Sequence, residues 1–154
     1  ECGRSDGRAD AIMAGHLADL VVLCLHDSSD TREVAKTGGI AALRLKAIRS
    51  YIEDNTCNPN ASLMGCANAT GLSRSYVQHV LEAAGTSFVA ELKVARISQA
   101  CFMLARPECA RMSVADIAFA CGFADLSTFN RSFRATLSRT PSDFRREAET
   151  FARD

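Results

Sequence analysis

Arg131, Arg134, Arg139, Arg145 and Arg146 fall within residues 123–146, against two acids, Asp125 and Asp143. A guanidinium offers a planar fork of donors that fits a phosphate or the acceptor edge of guanine. Phe123, Phe129, Phe133 and Phe144 are interleaved with these arginines. Two readings compete: a solvated helix face laid over an aromatic core, or a cationic surface that meets nucleic acid. The chain of 154 residues has a formal net charge of +0, so the stretch stands out from its surroundings. Residues 1–36 carry four Lys/Arg and seven Asp/Glu, whereas residues 37–154 carry fourteen and eleven. That basic footprint is weaker than the one a strongly basic domain presents.

Other chemistry finds little support. His16, His26 and His79 sit in separate segments, with no nucleophile or metal-ligand spacing beside them. Catalysis and a bound metal both need converging groups, so neither an enzyme nor a cofactor site is expected. The seven cysteines, at 2, 24, 57, 66, 101, 109 and 121, are odd in number and no two are three apart. Neither a zinc cluster nor a disulfide framework is indicated. Cys24, Cys66, Cys101 and Cys121 fall in apolar helical patterns, where a free thiol behaves as a small buried hydrophobe. That usage suits a reducing cytoplasm. No apolar run approaches the roughly 18 residues that span a bilayer, and no signal segment opens the chain. The first residue is Glu1 rather than Met, which suggests a fragment or a processed form.

The apolar spacing is helical nearly throughout, so the expected class is all-α. Residues 11–25, "AIMAGHLADLVVLCL", predict a separate apolar helix with Met13, Leu17, Leu20 and Cys24 along one stripe. A helix this apolar and short is marginal alone, which predicts self-association through residues 11–25. The polar stretch 27–39 ends in Gly38-Gly39 and predicts a linker. A helix with Leu45, Ile48 and Ile52 on its apolar side follows, closed by the breaker "CNPNA". Further helices are expected over 62–70, 74–84, 87–105, 114–121, 127–137 and 141–150. Ser113 and Asp116 form a capping box, and Thr140-Pro141-Ser142-Asp143 starts the last helix.

One feature repeats at an offset of 51: Ser62 matches Ser113, Leu63 Val114, Cys66 Ile117, Ala67 Ala118, Gly71 Gly122 and Leu72 Phe123. Each copy reads as a short helix, a glycine able to take the left-handed conformation, and a second helix beginning within a few residues. This is the helix-turn-helix layout, with the second turn one residue longer than the first. In the first copy Val77, Val80, Leu81 and Ala84 form the buried face. Ser75, Gln78, His79 and Glu82 point away, and Arg74 flanks them. In the second, the Phe residues hold the unit together, with Phe129, Phe133 and Leu137 inward. Ser127, Thr128, Arg131 and Ala135 point outward, flanked by Asn130 and Arg134. An outward polar face on a second helix is where a major groove would be met. The expected DNA-binding residues are therefore Arg74, Ser75, Gln78, His79, Ser127, Thr128, Asn130, Arg131 and Arg134. The rival reading is a protein-interaction module that kept the helical fold without binding DNA.

The stretch "IAFACGFADLSTFNRSFRATLSRTPSDFRR" (117–146) closely resembles the signature of the AraC/XylS family of transcription regulators. The matching residues are Ile117-Ala118, Gly122-Phe123, Phe129-Asn130-Arg131-Ser132-Phe133, Thr140-Pro141 and Phe144-Arg145. "GLSRSYVQHVLEAAGTSFVAELKVARISQACFML" (71–104) is similar to the family's first unit and connecting helix. The resemblance covers roughly residues 42–147. It implies seven helices, two helix-turn-helix units joined by a long helix near 87–105, and recognition helices in successive major grooves. It also implies residues 41–154 as the DNA-binding domain and residues 1–40 as the end of a sensor or dimerisation domain with its linker. Double-stranded DNA is the implied partner, with RNA polymerase as a further one. The chain departs from the pattern at four positions: His79 stands where Arg is frequent, Leu81 for Phe, Ser138 for Gly, and Cys66 for a larger aliphatic.

Overall fold

Side-chain oxygens start five helices. Ser62, Ser73, Ser113, Asp125 and Thr140 accept bonds from the backbone N–H of Gly65, Tyr76, Asp116, Thr128 and Asp143, respectively. Each satisfies a donor that the first helical turn would otherwise leave without a partner. Three of these caps involve carboxylates held below their ordinary pKa. For Asp116 and Asp143 the main cause is the hydrogen bond from the Ser113 or Thr140 side chain; for Asp125 it is the Thr128 backbone N–H.

A computed structural model describes the backbone of residues 31–151 and the side chains of residues 39–150. Its helices are α1 (Thr31–Asp54), α2 (Leu63–Thr70), α3 (Arg74–Ala83), α4 (Phe88–Ala105), α5 (Val114–Ala120), α6 (Leu126–Leu137) and α7 (Pro141–Phe151). A single 3-10 turn, Pro107–Cys109, follows α4. The fold is all-α, and no strand occurs among the described residues. No helix among them is long and apolar enough to cross a membrane.

The chain divides into two compact units. One holds residues up to Tyr51 and Ser62–Phe88; the other holds Ile52–Ala61 and Val89–Asp154. In the first, Ile48 of α1 is buried, as are Cys66 and Ala67 of α2 and Tyr76, Val77, Val80 and Leu81 of α3. Arg44 lies over the Tyr76 ring, 4.9 Å from its centre. In the second unit, Ile97, Ala100 and Leu104 of α4 pack with Ile117, Ala118 and Cys121 and with Phe123, Phe129 and Phe133. The rings form a chain: Phe123–Phe129 at 5.1 Å, Phe129–Phe133 at 5.6 Å and Phe133–Phe144 at 5.8 Å.

The repeat survives in atomic detail. Gly71 and Gly122 take φ of +69° and +81°. Leu72 N–H donates to Ala67 O and Phe123 N–H to Ala118 O, both at 3.1 Å. One residue separates Gly71 from the Ser73 cap and two separate Gly122 from the Asp125 cap, so the second turn is one residue longer. Gly122 has a second duty. A Cβ there would meet Thr56 O at 2.9 Å and Arg96 Nε at 3.1 Å, whereas nothing lies within 4 Å of a Cβ at Gly71. Arg96 donates to Thr56 O at 3.0 Å and Asn58 O at 2.7 Å, tying the segment after α1 against the second turn.

Three expectations need correction. The stretch 27–39 is not all linker, because α1 begins at Thr31 and runs through Gly38-Gly39. Each glycine costs a helix interior only about 1 kcal/mol against alanine, and good helix formers surround this pair. Ala84 is exposed and caps α3 instead of extending its buried stripe; the chain turns immediately afterwards at Gly85, with φ +74°. Phe119, unlike the four rings above, is 53% exposed, two residues beyond the buried Ile117 on a helix whose inner face is already filled. Residues 11–25 lie outside the described residues.

Cys66 and Cys121 are fully buried, and burial pushes their thiols up to about 11 and about 12. Cys121 Sγ rests 3.7 Å from Met103 Sδ. The thiolate is the reactive species, so both should resist a thiol reagent at pH 8 under native conditions while exposed Cys57 reacts. Mass mapping of the labelled peptides checks this. Rapid labelling of Cys121 would contradict the packing around it.

Candidate nucleic-acid interface

The two second helices of the repeat, α3 and α6, correspond at an offset of 52 beyond the longer turn. Val77 matches Phe129 and Leu81 matches Phe133, and all four are fully buried. That register fixes which residues face outward. On α3, Arg74, Ser75, Gln78, His79 and Glu82 are exposed. On α6, Ser127, Arg131, Arg134 and Ala135 are exposed, while Thr128 and Asn130 are half-buried. Ser132 is buried on the inward side, matching Val80. Each helix therefore gathers its own expected contact residues on one side.

Their chemistry differs. On α3, Gln78 Nε2 donates to Glu82 Oε1 at 2.9 Å, and the His79 ring lies 6.5 Å from that of Tyr76. On α6, Arg131 donates to Thr128 Oγ1 at 3.5 Å, at the edge of hydrogen-bonding range. Asp125 caps this helix, and the nearby charge of Arg131 adds to the hydrogen bonds that lower its pKa. The residue matching Glu82 is Arg134, so the first outward face carries an acid where the second carries a base.

The basic stretch splits into three groups. Arg139 pairs with Glu147 and Arg146 with Asp143, the latter at 2.7 Å, so both brace the start of α7. Arg145 has Nε and one Nη buried without a hydrogen-bond partner. Arg131 and Arg134 form no ion pair among the described residues and stand exposed on α6. Sequence spacing flagged all five arginines without separating them; Arg146 pairs with Asp143 one turn away within α7, and Arg139 with Glu147 eight residues further on. No group of three or more His, Cys, Asp or Glu among the described residues is placed to hold a metal.

Two capped helix pairs, each turned by a left-handed glycine and each presenting a polar second helix, define a tandem helix-turn-helix protein. The sequence profile described as "Helix-turn-helix domain" matches residues 66–147. The chain belongs to this AraC-type helix-turn-helix family. It is 31% identical over 140 residues to the transcriptional activator RhrA of Rhizobium meliloti (strain 1021), covering 89% of this chain and 42% of that protein. It is 34% identical over 103 residues to the transcriptional activator NphR of a Rhodococcus species, covering 67% and 30% respectively. The chain thus spans less than half the length of these curated relatives. In fold it is similar to a solved probable AraC family transcriptional regulator from Rhodopseudomonas palustris CGA009. The TM-score is 0.62 at 24% identity, over 68% of this chain and 96% of that one.

Proposed function

We propose that residues 41–154 are the DNA-binding part of a transcription regulator, with α3 and α6 each reading a major groove. The observation that carries this reading is the exposed outward face of α6, where Arg131 and Arg134 form no ion pair among the described residues and stand opposite the buried Phe129 and Phe133. Ser127, Thr128 and Asn130 complete that contact surface; Arg74, Ser75, Gln78 and His79 form the one on α3. Arg131→Ala should weaken specific DNA binding by about 1–3 kcal/mol, the usual cost of a lost base contact. Unchanged affinity in a titration with folded protein would sink the docking arrangement. Two reading helices in one chain call for two recognised segments about 10–10.5 bp apart, without need of a palindrome.

Residues 1–40 are assigned to the end of a preceding sensor or dimerisation domain, consistent with relatives more than twice as long. RNA polymerase is a further partner on this reading, and the cytoplasm its compartment. The apolar segment 11–25 is assigned to self-association. Sedimentation of the full chain should show concentration-dependent dimers that deletion of residues 1–30 abolishes. A chain that stays monomeric at every concentration would overturn that assignment.

A further inference from the structure

Gln78 and Glu82 lie one turn apart on the exposed side of α3, with Gln78 Nε2 donating to Glu82 Oε1 at 2.9 Å. A carboxylate only accepts, so the amide end facing it is the nitrogen, and the carbonyl oxygen is turned away. A glutamine amide has two N–H protons and one carbonyl oxygen. An amide that gives Glu82 the proton remote from its carbonyl keeps the other proton beside Oε1. That remaining edge, one donor next to one acceptor, is complementary to adenine, which shows an N7 acceptor and an N6 donor in the major groove. Guanine shows two acceptors there and would set O6 or N7 against Oε1.

The position of Glu82 supports the same conclusion. It is the penultimate residue of α3, while recognition helices meet base edges mainly with their N-terminal residues. An acid on a helix face near phosphates weakens binding unless it does something else. On α6 the matching residues are Asn130 and Arg134, so the carboxylate clamp belongs to the first unit alone.

We propose that Gln78, its amide oriented by Glu82, selects an A·T pair in the DNA segment read by the first unit, with Glu82 as a positioning residue. This rests on the DNA-docking reading above and specifies the base that one of its residues reads.

The test is selection from a random double-stranded DNA pool by the full chain and by its Gln78→Ala, Glu82→Ala and Glu82→Gln variants, at one salt concentration. All the substituted residues are exposed, and circular dichroism verifies the fold of each variant. The wild-type chain should enrich adenine over guanine about tenfold at one position, the discrimination of a good bidentate pair. Gln78→Ala and Glu82→Ala should both erase that preference and leave the bases read by α6 unchanged. Glu82→Gln should retain it, because its amide oxygen accepts the same bond. A motif indifferent to Gln78→Ala and Glu82→Ala overturns the proposal while the docking reading stands. So does a Glu82→Ala variant whose affinity rises equally for every sequence, since that is relief of phosphate repulsion alone. Enrichment of no motif by the wild-type chain overturns the docking reading and this proposal together.

Discussion

Phe129→Ala should lower the stability of the second unit by about 3–5 kcal/mol, the usual cost of emptying a buried aromatic site. Phe129 is fully buried and links Phe123 to Phe133, with Phe144 beyond. Its removal deletes two ring contacts as well as the ring's own burial, and each such contact adds about 0.5–1.5 kcal/mol beyond area. Domains of this size have only about 5–15 kcal/mol of net stability. The matching change in the first unit, Val77→Ala, removes less, about 1.6 kcal/mol from two buried methyl equivalents. Urea unfolding followed by far-ultraviolet circular dichroism measures both. Equal losses for the two variants would contradict the burial and ring contacts assigned to Phe129.

Gly122→Ala should cost about 3 kcal/mol or more, and Gly71→Ala only about 1–2 kcal/mol. Both glycines hold positive φ, for which a Cβ costs about 1–2 kcal/mol. Only Gly122 adds a steric conflict, because its Cβ would press on the Thr56 carbonyl, which is backbone and already accepts from Arg96. Making room pulls that carbonyl and the Arg96 bond apart, so a partly buried hydrogen bond is lost as well. Ser138 provides the reverse case. It is the one non-glycine residue with positive φ among the described residues, at +56°, and it ends α6 where the family pattern has glycine. Ser138→Gly should therefore stabilise the chain by about 1 kcal/mol. Thermal melts of the three variants form one comparison. A Gly122→Ala variant no worse than Gly71→Ala would show that the Thr56 approach is not tight in solution.

What the sequence by itself determined was local. The repeat of Ser62–Leu72 in Ser113–Phe123 was legible because caps and left-handed turns depend on residues within four positions of one another. The register of α3 and α6 followed, since helical spacing alone puts Val77 with Leu81 and Phe129 with Phe133 on an inner face. The outward residues of both helices were legible for the same reason, as was the one-residue difference between the turns. Tertiary structure decided everything that needed a partner distant in sequence. It paired Arg139 with Glu147, eight residues further on, and left Arg131 and Arg134 exposed with no ion pair among the described residues. It left Phe119 outside the ring chain that holds its neighbours. It carried α1 through Gly38-Gly39, where a small cost per glycine gave way to the helix around it. It also brought Thr56 and Arg96 against Gly122, adding a steric requirement to a residue that local rules had marked only for its φ. A four-residue window contains the geometry of a cap or a turn, but it does not contain the neighbour that decides whether a charge is used, a ring is covered or a Cβ has room.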